Sequence, residues 1–192
     1  MKIMSIIGAI LAIVGFTNEF QGTAEEVVVE EVVSTFGSEG ALEDDEYTLE
    51  EMLIYALEDE YRAKAEYIYV VDTFAVDRPF SNIIKSEETH IQLLLPLFET
   101  YGVELVNSDV LDHLLPATTL LETFEVGVQA EISNIAMYDI FLTQELPDDV
   151  REVFIKLRDA SYNHLSAFEK GLESNNNTSG QSGRNSRRGK NN

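Results

Sequence analysis

Four segments of about 23–27 residues, each with an apolar seam stepping by threes and fours, dominate this chain, and a polar residue interrupts every seam near mid-length. Seams of that period put their apolar side chains on one helix face, so the segments are expected to pack as amphipathic helices. The first runs from about Thr48 to Phe74 and opens on a capping box, Thr48-Leu49-Glu50-Glu51. Its seam is Leu49, Leu53, Ala56, Ala63, Tyr67, Val70 and Phe74. The second starts near Pro79, a favoured first-turn residue, and stops at Gly102, with Phe80, Ile83, Leu94 and Leu97 on its seam. Pro96 is expected to kink or loosen its last turns. The third spans about Thr119 to Glu145, opens on a second capping box, Thr119-Leu120-Leu121-Glu122, and carries Leu121, Phe124, Val128, Ile135, Tyr138 and Leu142. Pro147 separates it from the fourth, about Asp148 to Gly171, with Val150, Phe154, Leu157 and Phe168.

Segments of these lengths suit a four-helix bundle. The connection between the second and third, residues 103–118, reaches up to ~50 Å when extended and can cross a bundle from end to end. The other two connections are short, which makes the first and second helices, and the third and fourth, antiparallel hairpins. The expected fold is all-α, a four-helix bundle with a long crossover between helices 2 and 3. His113, in the crossover, reads as a solvated loop residue.

The interruptions carry the chemistry. The step between Ala56 and Ala63 falls on Glu60, those between Ile83 and Leu94 on Glu87 and His90, that between Val128 and Ile135 on Glu131, and those between Leu157 and Phe168 on Ser161 and His164. Mid-length residues of an up-and-down bundle meet at one level, so three carboxylates and two imidazoles converge in the core. Buried anions must protonate, pair with cations or hold a metal. Arg62, Lys64, Arg78, Lys85, Arg151, Lys156 and Arg158 lie off the inner stripes, which leaves a metal as the simplest neutraliser. Oxygen and imidazole ligands suit iron, manganese or zinc without choosing among them. Each position has a plainer reading. A single Glu-x-x-His is common in helices, and Glu50, Glu51, Glu66, Glu88, Glu99 and Glu152 read as a solvated face. It is the failure of four seams at one height that favours a metal centre formed by Glu60, Glu87, His90, Glu131 and His164.

Ala56-Leu57-Glu58-Asp59-Glu60-Tyr61-Arg62-Ala63-Lys64-Ala65-Glu66-Tyr67 resembles the first helix of rubrerythrin-type ferritin-like proteins, in which a ligand Glu is followed by x-x-Ala-x-x-x-Tyr. Ser86-Glu87-Glu88-Thr89-His90 resembles their Glu-x-x-His. A closer resemblance is to the ferritin-like family called domain of unknown function 2202. It rests on Phe80-Ser81-Asn82-Ile83, Ser86-Glu87, His90, Tyr101-Gly102, Val126-Gly127 with Glu131, and Ser161-Tyr162-Asn163-His164-Leu165-Ser166-Ala167-Phe168, and covers about residues 48–172. The resemblance implies a ferritin-like bundle with Glu60, Glu87, His90, Glu131 and His164 as ligands and iron as the first metal to expect. With iron, Glu60 and Glu131 would be terminal or bridging ligands, Glu87 a bridge, and the histidines terminal donors. It implies reduction of peroxide or oxygen, or ferroxidase activity, although the family has no settled one. The chain departs from the pattern at Ser161, where a full di-iron site has Glu, and at Asn134, where an acid is usual. Tyr67 and Tyr138, on the inner stripes, would hydrogen-bond a ligand or carry an electron, though packing is the ordinary role. The rival reading is a non-catalytic structural or interaction module with a vestigial site, and a third is a surface cation buffer.

The chain has no cysteine, which excludes disulfides, thiolate metal sites and a cysteine nucleophile. Residues 1–24 follow the plan of a secretory signal peptide, with Lys2, the apolar run 3–16, and Gly22-Thr23-Ala24 before the cleavage point. The expected location is therefore secreted or extracytoplasmic, with the membrane a partner only if this segment stays uncleaved. Residues 25–46 read as an acidic linker containing a Val-rich stretch, 47–173 as the bundle, and 174–192 as a disordered basic tail. Residues 25–173 carry 34 acidic and 8 basic side chains, so nucleic acid is not an expected partner. A homodimer is left open, since no decisive apolar patch stands out.

Overall fold

The computed structural model describes residues 36–105, 110–114 and 117–182. Five α-helices make up the fold: α1 (Gly37–Glu43), α2 (Leu49–Phe74), α3 (Phe80–Tyr101), α4 (Leu120–Phe141) and α5 (Asp148–Ser182). A 3-10 turn, Val110–His113, lies in the connection between α3 and α4. There is no strand among the described residues. The signal-like segment, the Val-rich stretch and residues 183–192 of the basic tail lie outside them; no described helix is long and apolar enough to cross a membrane.

Helix boundaries follow the caps. Thr48 and Glu51 form the expected capping box of α2. Gly102 ends α3 with φ 68°, and the Val103 N–H donates to Phe98 O (3.0 Å). At α4, Thr119 caps as expected by accepting from Glu122 N (3.2 Å), but the Glu122 carboxylate turns to Thr118, accepting from its N–H (2.7 Å) and hydroxyl (2.8 Å). Pro96 sits inside α3 without ending it. Its ring faces solvent, and so does Gln92, whose carbonyl loses its helical partner. α4 stops at Phe141, a turn before the expected Glu145, where Arg151 donates to Leu142 O (2.9 Å) and Gln144 O (2.8 Å).

Two hydrophobic clusters fill the bundle, one at each end. The first brings together Leu53, Ala56, Leu94, Phe98, Tyr138, Phe141, Phe154 and Leu157. The second holds Tyr67, Val70, Phe80, Ile83, Phe124 and Phe168. The start of α2 and the end of α3 thus share one end, while the end of α2 and the starts of α3 and α4 share the other. α2 runs antiparallel to α3 and α4, and α5 antiparallel to α4. Val103 packs in the first cluster and Leu120 in the second, so the connection between them traverses the length of the bundle as expected. Leu121, expected on the α4 seam, is exposed; Leu120 packs instead, which shifts the start of that seam by one residue.

Three expectations need correction. The linker 25–46 contains a helix: Phe36, Gly37, Ser38, Gly40 and Ala41 are buried, and α1 packs against α2 and α4. A small-residue helix needs little apolar surface of its own when glycine and alanine let it lie flat on its neighbours. Arg62 and Glu66, read as outer-face residues, are both buried. The fourth helix does not stop at Gly171 but continues to Ser182, so the segment from residue 174 begins as helix. Gly171 is a contact glycine rather than a stop: a Cβ there would lie 2.2 Å from the Phe124 ring.

Candidate metal centre

Between the two apolar clusters lies a polar layer. Glu60 on α2, Glu87 and His90 on α3, Glu131 on α4 and Ser161 and His164 on α5 are all at most 7% exposed. The helices carry these residues near mid-length, with apolar neighbours a turn away on both sides, so the layer is sealed along the bundle axis. All five expected ligands come together. His90 Nδ1 lies 2.9 Å from Glu60 Oε2 and 2.8 Å from Glu87 Oε2. His164 Nδ1 lies 3.2 Å from Glu87 Oε1 and 3.5 Å from Glu131 Oε1. The two imidazoles are roughly parallel, with centroids 5.7 Å apart. Glu87 stands between them, one oxygen toward each.

Two three-ligand groups result, Glu60/Glu87/His90 and Glu87/Glu131/His164, each with its donor atoms within 4.8 Å of one another. The donor set fits one or two metal ions, and one observation beyond the spacing supports the fit. His164 Nδ1 is buried without a hydrogen-bond partner even though two carboxylate oxygens lie nearby. His90 Nδ1 is instead hydrogen-bonded to Glu60 Oε2, so His164 Nδ1 is the buried donor atom left for a metal to satisfy. A cavity of about 10 Å³, lined by Glu60, Glu87, Glu131, Tyr67, Asn134 and Ser161 among others, remains between the carboxylates. It sits at the lower limit for a single water.

Electrostatics describe a site held by protons when no metal is present. Burial and the neighbouring Glu87 charge raise the Glu60 carboxyl against the pull of His90. Burial also works against Glu87 ionisation, but contacts with His164 and His90 outweigh it and hold its carboxyl below the usual range. Burial, with the Glu87 charge, raises Glu131 against His164. For the imidazoles, burial opposes the charge and the carboxylates prevail: Glu60 and Glu87 push His90 up to about 10, and Glu131 and Glu87 push His164 up to about 9. Each outer carboxylate is fixed by a tyrosine. Tyr138 donates to Glu60 Oε1 (2.8 Å) and Tyr67 to Glu131 Oε1 (3.0 Å). Both phenols are raised well above their ordinary value, burial first and the carboxylates second, so they remain donors. Both tyrosines lie on the stripes the sequence marks as inner, and each adds to its packing a bond that orients a candidate ligand.

A second buried layer escapes the sequence reading. Asp59 accepts from Ser38 N (2.8 Å), Arg62 Nη2 (2.7 Å) and Asn134 Nδ2 (2.7 Å). Ser161 donates to Asn134 Oδ1 (2.6 Å). Asp59, Asn134 and Ser161 are one or three residues from Glu60, Glu131 and His164, so the network ties together three helices that carry candidate ligands. Ser161 and Asn134 bond to each other instead of extending the ligand set. The Asp-x-x-Arg spacing of Asp59 and Arg62 is the sequence signal for the pair, but their burial depends on α1. Gly37 enters α1 with φ 59°, and a Cβ there would lie 2.8 Å from Asp59 Oδ1. His113 stacks on Phe36, with centroids 4.0 Å apart, and takes no part in the centre.

No protein-family model matches the chain, and no curated protein is similar to it. Among solved structures it is similar to that of the hypothetical protein MJ0754 from Methanococcus jannaschii DSM 2661, with 21% identity and a TM-score of 0.60. The match covers 69% of this chain and 85% of that one. At this identity the likeness concerns the fold, and the resemblance to named families rests on the motifs.

Proposed function

We propose that this chain is an exported ferritin-like metalloprotein whose core binds iron, or manganese or zinc in its place, and that with iron it reduces peroxide or oxygen or oxidises ferrous ions. The observation that carries this reading is the buried convergence of Glu60, Glu87, His90, Glu131 and His164, with Glu87 shared between two groups and His164 Nδ1 lacking a hydrogen-bond partner. Glu60, Glu87 and His90 would hold one ion, and Glu87, Glu131 and His164 a second. Bound iron supplies electron-transfer chemistry toward oxygen or peroxide. The chain's own contribution is orientation and exclusion. Tyr138 and Tyr67 fix the outer carboxylates, the Asp59–Asn134–Ser161 network holds three ligand helices in register, and the apolar clusters keep water out along the axis. The 192 residues contain no cysteine, so a thiolate electron-transfer centre is not among them. The motif resemblance to the domain of unknown function 2202 family and to rubrerythrins supports the ferritin-like assignment, and the N-terminal segment supports export.

A second reading is a non-catalytic module with a vestigial site. It is favoured by Ser161 and Asn134, which satisfy each other where the resemblance leads one to expect acids. Elemental mass spectrometry of the full chain, purified without added metal and again after anaerobic loading with ferrous iron, separates the two. About one or two ions per chain, lost in His90→Ala and Glu131→Ala, is the expected result. A folded chain with no bound metal after loading would overturn the metalloprotein reading.

A further inference from the structure

A space larger than the one among the carboxylates lies outside the polar layer. A cavity of about 220 Å³ lies beneath the crossover, between Leu111, Leu114 and Ala117 of that connection, Tyr67 and Val70 of α2, and Val126 of α4. It opens beside Leu111, which is 71% exposed. The walls are predominantly apolar. Thr123, also in the wall, spends its hydroxyl on Leu120 O (2.6 Å), and the buried Glu66 carboxylate lies in the field of Arg62. Dry apolar cavities of roughly 150 Å³ take up benzene, so a space of this size accommodates one or two fused rings or a branched chain of similar bulk. Neither charge sign suits it. An anion would face Glu66, and a cation would leave water for apolar walls and a carboxylate that Arg62 already attends.

One side chain joins this space to the candidate metal centre. The Tyr67 ring walls the apolar cavity and also borders the small cavity among the carboxylates, and its hydroxyl donates to Glu131 Oε1 (3.0 Å). Anything seated against that ring is one phenol away from a ligand carboxylate.

We propose that the cavity beneath the crossover is a binding site for a small, uncharged, largely apolar molecule of one or two rings, seated against Tyr67. Binding itself needs no metal. Its coupling to the centre, through the Tyr67–Glu131 bond, rests on the metalloprotein reading above.

The test uses methyl NMR of the full chain titrated with indole, and with indole-3-acetate and tryptamine as charged counterparts. Saturable indole shifts confined to the methyls of Val70, Leu111, Leu114 and Val126 are expected, with both charged analogues weaker by about tenfold or more. Filling the space with Val126→Phe, or from the opposite wall with Ala117→Phe, is expected to weaken indole by at least about tenfold while thermal melting shows a folded chain. If one variant fails to fold, the other decides. No saturation in the wild type, binding unaltered in a folded filled variant, or tighter binding of a charged analogue would overturn the assignment. The coupling is read by repeating the titration on zinc-loaded protein, since zinc is diamagnetic and leaves the methyl signals sharp. Indole affinity is expected to change on loading in the wild type and not in Tyr67→Phe, which keeps the ring but loses the bond to Glu131; equal responses in the two would overturn the coupling. A chain that binds indole but no metal would sink the proposed function and leave the cavity site standing.

Discussion

Glu87 lies between both imidazoles, one oxygen 2.8 Å from His90 Nδ1 and the other 3.2 Å from His164 Nδ1, and that double contact decides how the centre would respond to a metal. In the metal-free chain the carboxylates raise His90 to about 10 and His164 to about 9, so at neutral pH both rings carry two protons, with Nδ1 facing the carboxylates. A metal takes the lone pair of a deprotonated nitrogen, so each ring that binds must release a proton. Raising the pH therefore favours the metal-bound form, and affinity should climb steadily between about pH 6 and 9. Calorimetry in buffers of different ionisation enthalpy should show release of at least about one proton per chain, from the imidazoles and the raised Glu60 carboxyl; no release would exclude the imidazoles as ligands. Arg62 is the other decisive residue. Its guanidinium lies 2.7 Å from Asp59 Oδ1, with both side chains almost fully buried. Arg62→Leu leaves Asp59 an uncompensated buried anion and should cost about 3–5 kcal/mol in urea denaturation. Lys156→Leu, which removes an exposed ion pair with Glu152, should cost far less. The buried Glu and His residues of the polar layer were legible in the sequence because a Glu or His on an apolar seam breaks a pattern. Asp59 and Arg62 break none: they flank the α2 seam, and only the cover of α1 buries them.

Elements are fixed in register by how closely they approach, and α4 and α5 approach through a reciprocal pair. The Phe168 ring lies on Gly127, where a Cβ would come within 3.0 Å, and the Phe124 ring lies on Gly171, where it would come within 2.2 Å. In each helix the glycine follows the phenylalanine by three residues, so the two contacts mirror each other across an antiparallel pair. Gly171→Ala would ordinarily stabilise a helix interior by up to about 1 kcal/mol. Here the added methyl must displace a buried ring, and a net loss of about 1–3 kcal/mol is expected. Thermal melting decides between the two signs, and a stabilised Gly171→Ala would show that the Phe124 ring yields. The same pair explains why the fourth helix outruns its expected end: glycine signals a stop in sequence, but a packing glycine leaves the helix free to continue. α1 was illegible for the opposite reason. Its buried residues are Gly37, Ser38, Gly40 and Ala41, too small to make an apolar seam. By contrast, the Thr48 box and the Gly102 stop are local chemistry and appear where the sequence puts them.

Over the whole molecule, two apolar clusters bracket one polar layer, and the chain carries a net charge of −22. These features predict two separable responses to cations. Surface carboxylates repel one another, so sodium or magnesium should raise the melting temperature gradually, over millimolar concentrations, by screening. A core site acts through linkage: an ion that binds only the folded chain stabilises it by about 4 kcal/mol at a thousandfold excess over its dissociation constant. Manganese or ferrous iron should therefore produce a step that saturates near the stoichiometry of the site, and chelator should reverse it. Substitution distinguishes the two responses at the same net charge. Glu87→Gln removes the carboxylate shared by both ligand groups, whereas Glu88→Gln, its exposed neighbour, removes an equal charge from the surface. The saturating step should vanish in the first and persist in the second, while gradual screening survives in both. If manganese instead produces only the gradual rise, identical in wild type and Glu87→Gln, the acidity belongs to a surface cation buffer and the polar layer is held by its own protons alone.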